Sequence, residues 1–425
     1  MTEGVADESA LFERFNEAMG VGVVVDPYTA WAASRPAHVV PVEVPGLARR
    51  AEAFGSLGGT GSGELNVVTA LSYDAVHEIL RDGRRFSSSA YAGLIGDLMG
   101  RTIIEMDGPD HHAYRGLLQS VFSRRAMQQR WEAELVRPVV DGLIDQVLAR
   151  SSGGNGTGGV GRAELVGEVT FPFPIRVIAA MLGLPPEQMG LFHRLTVELL
   201  SMGIDPARAR QASAEIGVLL RPLIAERRAR PRDDLLGVLV DATHDDQRLS
   251  DDEIVSFCRL LLPAGAETTY RASSNLLVGL LTHPTQLAAV RDDRALVPQA
   301  IEEGLRWEPP LLQMVVRIAT GDTDVCGVAI PAGTVVVVNL GSANRDDRYW
   351  DEPDRFDIFR AQHPILSFGW GPHLCLGMHL ARMEIRLVLE SLLDRLPNLR
   401  VDPDAPAPVV TGRTFRSPTA IPVVW

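Results

Sequence analysis

Residues Leu249–Thr282 constrain the architecture of this chain more than any other segment. Ser250 and Glu253 have the spacing of a capping box at the start of this stretch, and His283-Pro284 ends it, so the pattern predicts one very long helix. At 1.5 Å per residue that helix spans roughly 45–50 Å, enough to cross a large domain. From about Pro109 to Asp245 the pattern is again mostly helical, broken by Pro172, Pro174 and the Pro185-Pro186 pair. A last helix is expected from Leu376 to about Leu396, and a short one ends at Arg306. Strand signals are few: Leu65–Thr69 ahead of a short helix Tyr73–Leu80, and Asp324–Val338, which reads as a hairpin with Pro331-Ala332-Gly333 at its turn. The fold class is mainly α with small β-sheets. Two glycine-rich stretches, residues 54–63 and 151–161, read as surface insertions rather than linkers, so residues 1–425 are expected to form one domain.

Bulk properties exclude several classes of function. The net charge of −13 argues against nucleic acid as main partner, because phosphate binding needs a basic footprint. Three cysteines, Cys258, Cys326 and Cys375, give no disulfide framework and fit a reducing cytoplasm. The acidic N-terminus lacks the basic start and apolar core of a signal peptide. No apolar stretch approaches the ~20 residues of a membrane span, so a soluble cytoplasmic protein is expected.

Phe368-Gly369-Trp370-Gly371-Pro372-His373-Leu374-Cys375-Leu376-Gly377 carries the chemistry. One cysteine leaves a glycine-rich loop just ahead of a helix, whose unpaired N–H groups and positive dipole end favour a thiolate over a thiol. Glycines there let backbone approach a flat ligand closely. A zinc site built from His373, Cys375 and His379 is the rival reading, although structural zinc sites take four paired ligands and no second cysteine pair occurs. Cys258 and Cys326 read as packing residues. Glu303 and Arg306, three apart, share a helix face. In the middle of the long helix lies Ala264-Gly265-Ala266-Glu267-Thr268-Thr269. A mid-helix Thr can bond back to a carbonyl one turn earlier, and Pro263 cannot donate to the carbonyl of Arg259, so the helix should open there.

The spacing Phe-x-x-Gly-x-His-x-Cys-x-Gly, continued by Ala381-Arg382, resembles the haem-binding signature of the cytochromes P450. The resemblance runs from about residue 65 to the C-terminus, leaving residues 1–64 as a variable segment. It implies the fold of that family, with haem b (iron protoporphyrin IX) between a long bent central helix and the C-terminal helix. It makes Cys375 the thiolate ligand, with Phe368, Gly369 and Gly377 in its loop and Ala264 and Gly265 on the opposite face of the cofactor. Glu267 and Thr268 match the family's acid–alcohol pair, Thr268 toward iron-bound oxygen and Glu267 relaying protons from solvent. His111, with His112 as rival, Arg115, Arg317 and His373 stand where the family holds haem propionates. Glu303 and Arg306, joined by Arg355 of Pro353-Asp354-Arg355-Phe356, match a structural network beneath the haem.

The implied activity is that of a haem-thiolate monooxygenase, inserting one oxygen atom of O2 into a hydrophobic small molecule by hydroxylation or epoxidation. No flavin or iron–sulfur domain is recognisable, so electrons are expected from a separate ferredoxin or flavodoxin with its reductase, docking near Arg115, Arg124, Arg125 and Arg382. Family topology assigns the substrate pocket to five segments, with Tyr91, Leu94, Leu98, Leu312, Gln313, Val315, Val316 and Phe415 as its lining and Asp97 facing solvent. A peroxide-using peroxygenase and a non-catalytic haem sensor remain alternatives. Retention of Glu267 and Thr268 argues against both, since neither needs a proton relay.

Overall fold

The structure, a computed structural model, describes residues 11–41, 66–119, 121–152, 160–244 and 247–425. Residues 54–63 and most of 151–161 lie outside these, and with them the reading of two insertions. Helices dominate, and their buried faces form one large apolar core that includes Trp131, Phe173, Phe192, Phe257 and Leu392. A second core, with Val76, Phe86, Val336 and Trp350, lies beneath the main sheet.

The long helix has the expected ends and an irregular middle. Ser250 accepts from the Glu253 N–H while Glu253 accepts from the Ser250 N–H, completing the capping box. The α-helix Asp251–Leu261 gives way to a π-helical segment Leu262–Glu267, and regular α-helix resumes over Thr268–Leu281. Pro263 sits inside the π segment. Its missing N–H leaves a carbonyl of the preceding turn without its usual donor, and the wider turn absorbs that defect. Every residue from Thr269 to Leu281 is buried, so this helix is the axis of the molecule. It packs on the helix Val297–Trp307 and on the C-terminal helix Met378–Arg395.

The main sheet has five strands in the order Val39–Pro41, Val67–Ala70, Val335–Val338, Val315–Ala319, Phe86–Ser87. All neighbours are antiparallel except the pair Val335–Val338 and Val67–Ala70. A smaller sheet joins Arg400–Val401, Pro422–Val424 and Arg162–Glu164. The hairpin expected over Asp324–Val338 is placed differently. Thr323–Val325 pairs with Val328–Ile330 around Cys326-Gly327, whose φ values of 50° and 82° are those of a tight two-residue turn. Pro331-Ala332-Gly333 instead passes the chain into the main sheet, where four consecutive valines suit a central strand flanked on both sides. Cys326 is therefore a half-buried turn residue as well as a packing one, whereas Cys258 is fully buried in the core. Among the described residues no helix is long and apolar enough to cross a membrane.

Candidate active site

The loop before the C-terminal helix is shaped by its own backbone. Cys375 N–H donates to the Phe368 carbonyl (2.9 Å) and Gly369 N–H to the Leu366 carbonyl (2.8 Å). Gly369 and Gly371 both have φ of 70°, a region that side-chain-bearing residues rarely adopt. A Cβ on Gly371 would sit 2.4 Å from the Leu80 carbonyl oxygen, so the close approach this glycine permits is to the helix Tyr73–Arg81 and not to a ligand. Gly377, in contrast, has open space where a Cβ would be. The helix itself begins at Met378, three residues after the cysteine.

Cys375 has accessible surface yet is enclosed by protein. It therefore lines an internal cleft rather than the outer surface. Burial pushes its thiol up, opposed by the Gly377 N–H and by the positive charges of Arg115 and Arg382. The dipole argument alone would have lowered it, and desolvation outweighs that effect here. The zinc reading finds no support, since no cluster of three or more candidate metal ligands occurs among the described residues.

The central helix presents an accessible stripe where it is irregular. Ala264 is exposed and Gly265 and Thr268 are half-buried, while Leu262, Ala266, Glu267 and Thr269 are buried. Thr268 Oγ1 donates to the Ala264 carbonyl at 2.7 Å, the back-bond expected of a mid-helix threonine. Gly265 is packed from behind, since a Cβ there would meet Ile178 Cδ1 at 2.9 Å. Glu267 does not reach solvent. It is buried against Arg271, whose Nε donates to Oε1 at 2.7 Å, while its Oε2 has no partner among the described residues. Burial raises the Glu267 carboxyl, and the Arg271 charge opposes that rise.

Four of the expected cationic donors converge on the cysteine loop. The His111 and His373 rings lie 4.0 Å apart, and Arg115 Nη2 donates to the Leu374 carbonyl at 2.5 Å. His112 is exposed, one position round the helix, which removes it as a rival. Arg317 is buried, its Nη1 donates to the adjacent Val316 carbonyl (2.8 Å), and its guanidinium also meets the Tyr91 hydroxyl. His111 is pushed down to about 4 by burial, then by the neighbouring positive charges of His373 and Arg115, so it is neutral at physiological pH. Its Nε2 is buried without a partner among the described residues, and neither Arg115 nor Arg317 has a carboxylate there at ion-pair distance, whereas His373 Nε2 lies 3.8 Å from Asp107 Oδ1. Buried donors of this kind need acceptors, and haem propionates have the right charge and valence. With a lone thiol in the cleft beside them, these residues fit a haem.

The network below the loop differs from expectation in one member. Arg306 makes a two-bond fork to Glu303 (2.7 and 2.8 Å) and donates to the carbonyls of Asn344, Pro353 and Arg355. Arg355 contributes that carbonyl alone, for its guanidinium is exposed and pairs with Glu352. The third cation is Arg360, with Nε 3.5 Å from Glu303 Oε1 and its side chain 10% exposed. Arg355 and Arg360 lie on the same loop, and the resemblance pointed to Arg355, while only packing shows that Arg360 is the one turned toward Glu303. A second buried cluster was not foreseen at all: Glu308 accepts from Tyr28 (2.8 Å), Arg345 (2.8 Å) and Arg416. These residues come from three distant parts of the chain, and no local pattern connects them.

The expected pocket lining is partly corrected. Leu312 has no accessible surface because its side chain fills the space above Gly341. Leu98 and Phe415 are core residues at 8% exposure, and Tyr91 is buried with its hydroxyl donating to the Met314 carbonyl (3.0 Å). Leu94, Gln313, Val315 and Val316 keep accessible surface, with Gln313 Nε2 3.4 Å from the Arg413 carbonyl. Asp97 is exposed, as expected.

A thiol opening into an internal cleft at the head of a long helix, beside two arginines without a carboxylate at ion-pair distance among the described residues and a π-distorted central helix, has the make-up of a haem-thiolate site. Comparison with known proteins agrees. The family profile described as "Cytochrome P450" matches residues 205–410. Cytochrome P450 monooxygenase PikC of Streptomyces venezuelae is 34% identical over 96% of this chain and 93% of its own length. The steroid C26-monooxygenase of Mycolicibacterium smegmatis is 35% identical over 84% of this chain and 88% of its own. Among solved structures, CYP109E1 of Bacillus megaterium in complex with testosterone superposes with a TM-score of 0.79 at 28% identity, covering 94% of this chain and 99% of that one. The chain belongs to the cytochrome P450 family. It is a haem-dependent monooxygenase of the bacterial type.

Proposed function

We propose that Cys375 would bind the haem iron as its thiolate, that His111, Arg115, Arg317 and His373 would hold the propionates, and that Thr268 and Glu267 would hold and pass protons. Haem, when bound, supplies dioxygen reduction and oxygen transfer. The remaining steps belong to the protein. Arg115 ties propionate binding to the cysteine loop through the Leu374 carbonyl, so filling one site stiffens the other. The Gly377 N–H, Arg115 and Arg382 stabilise negative charge on the Cys375 sulfur. Thr268, half-buried and already bonded to Ala264 O, presents a hydroxyl whose lone pairs remain free to accept and pass on a proton. The observation that carries this reading is the accessible surface of Ala264, Gly265 and Thr268 at the π-distorted turn, just before the helix becomes buried from Thr269 to Leu281.

The substrate in this reading is a neutral hydrophobic molecule, because Leu94, Val315 and Val316 are apolar and Gln313 is the main polar group among the accessible lining residues. The relatives' names, steroid oxidation among them, point the same way. Electrons come from a separate ferredoxin or flavodoxin with its reductase, in the cytoplasm. Exposed Arg124 and Arg125 supply docking charge, whereas Arg382 is forked onto Glu302 (2.6 and 2.9 Å) and Arg115 points inward.

The test begins with a carbon-monoxide difference spectrum of the reduced protein, which should show the red-shifted band of a thiolate adduct and lose it in Cys375→Ala. Thr268→Ala should consume reductant without forming product. Unchanged coupling in that variant refutes the relay, and equal turnover with peroxide alone refutes dependence on a redox partner.

A further inference from the structure

Arg271 is unusual among the charged residues of this protein. It has no exposed surface, lies one turn beyond Glu267 on the central helix, and holds three different segments at once. Its Nε and Nη2 donate to Glu267 Oε1, its Nη1 donates to Ser417 Oγ (2.7 Å), and Nη2 also donates to Asn16 Oδ1 (2.6 Å). The guanidinium lies near the rings of Tyr270 (4.8 Å) and Phe415 (5.2 Å). One carboxylate oxygen is thus fixed, and the other is left without a partner beside Thr268 in sequence.

The outer side of this cluster is the N-terminal helix, residues 11–18. Phe12 rests on Phe171 (4.2 Å) and near Tyr270 (5.9 Å), and Phe15 lies near Phe415 (6.1 Å). Asn16 is the half-buried polar residue of this helix that meets Arg271. The helix therefore lays an aromatic cover over the ion pair, and Asn16 is its half-buried polar contact with Arg271.

We propose that Arg271 is the positioning residue that orients the Glu267 carboxylate, and that the N-terminal helix, latched through Asn16, governs when this acid exchanges protons with water. The inference rests on the relay assigned to Glu267 and Thr268. A carboxylate clamped by a buried guanidinium keeps its orientation and is shut off from bulk water, so proton exchange with solvent requires the clamp to loosen. Release of Asn16 uncovers the Nη2 end of Arg271 while leaving Ser417 and Glu267 attached.

The experiment uses the full-length ferric holoenzyme with Asn16→Ala, Arg271→Lys, Arg271→Met and Glu267→Gln. Arg271→Met should add an infrared band of a protonated buried carboxyl beyond the one Glu384 already gives in the parent, and the added band should vanish when Glu267→Gln is introduced as well. Asn16→Ala should speed hydrogen–deuterium exchange across residues 267–272 and shrink the solvent isotope effect on turnover. Arg271→Met should show a several-fold fall in product per reductant consumed, and Arg271→Lys an intermediate fall. If Arg271→Met does not fold, the lysine and Asn16 variants decide. Parent-like coupling in the Arg271 variants, with Glu267→Gln uncoupled, overturns the inference and leaves the relay standing. Parent-like coupling in Glu267→Gln refutes the relay, and the infrared band then reports whether Arg271 holds the carboxylate at all. Unchanged exchange and isotope effect in Asn16→Ala remove the latch.

Discussion

Replacing Arg360 with alanine should destabilise the protein far more than replacing Arg355, although sequence spacing points to Arg355. The Arg360 side chain donates to the carbonyls of Asp351, Glu352 (3.0 Å) and Arg355 (3.0 Å) and sits 3.5 Å from Glu303 Oε1. Three such bonds at about 0.5–1.5 kcal/mol each give roughly 2–4 kcal/mol, to which the attraction of Glu303 adds. The loss stops short of an uncompensated buried charge, because Arg306 still forks onto Glu303. Arg306→Met removes the two-bond fork and leaves Glu303 the longer 3.5 Å contact to Arg360 and the Asp357 N–H, so it should cost about 3 kcal/mol, the low end of breaking a buried pair from one side. Arg355 pairs with Glu352 in the open, with side chains 58% and 72% exposed, so Arg355→Ala should cost about 0.5 kcal/mol or less. Its one contribution to the network, a backbone carbonyl, survives the substitution. Urea unfolding followed by far-ultraviolet circular dichroism, with haem retention read in parallel, separates the three. An Arg355→Ala midpoint shifted as far as that of Arg360→Ala would refute the assignment.

Gly371→Ala should cost more than the ~1–2 kcal/mol of a left-handed conformation alone, because the added Cβ also strikes the Leu80 carbonyl at 2.4 Å. Thermal melting of this variant against Gly377→Ala, where the space is open, checks it, and equal losses would count against the steric argument. Glu384, buried on the C-terminal helix and pushed up to about 8 by desolvation against a hydrogen bond from Thr269, is protonated in the folded state at neutral pH. Its folded value exceeds its ordinary one of 4.5, so the native state binds the extra proton and stability falls as pH rises from about 4.5 through about 8. Glu384→Gln should flatten that fall; a slope identical to the parent's would show that other groups cause it. Ser250→Ala should lower stability by about 1 kcal/mol through loss of the central helix cap, measured by denaturant midpoint.

The sequence was most legible where chemistry depends on neighbours along the chain. The capping box at Ser250, the opening at Pro263 and the Thr268 back-bond are all set within one or two turns of helix. So is the run that presents Cys375 at the head of the last helix. These local features, together with the ordered motifs, were sufficient to identify the family. The hairpin turn was misplaced because Pro-Ala-Gly and Cys-Gly both permit a reversal. Pairing of Val335–Val338 with Val67–Ala70, some 270 positions away, decided between them.

What only the tertiary structure decided is which polar groups lose water and to whom. Glu267 was expected to relay protons from solvent, and it is buried against Arg271, which Ser417 and Asn16 hold from two distant segments. Leu312, read as pocket lining, is buried against Gly341. Arg360 displaces Arg355 because its side chain is the one that packs inward. Burial also reversed the sign of the shift at Cys375, where local dipole reasoning favoured the thiolate and desolvation raised the thiol instead. Desolvation is a property of everything packed around a group, whereas sequence reports only what is covalently near it.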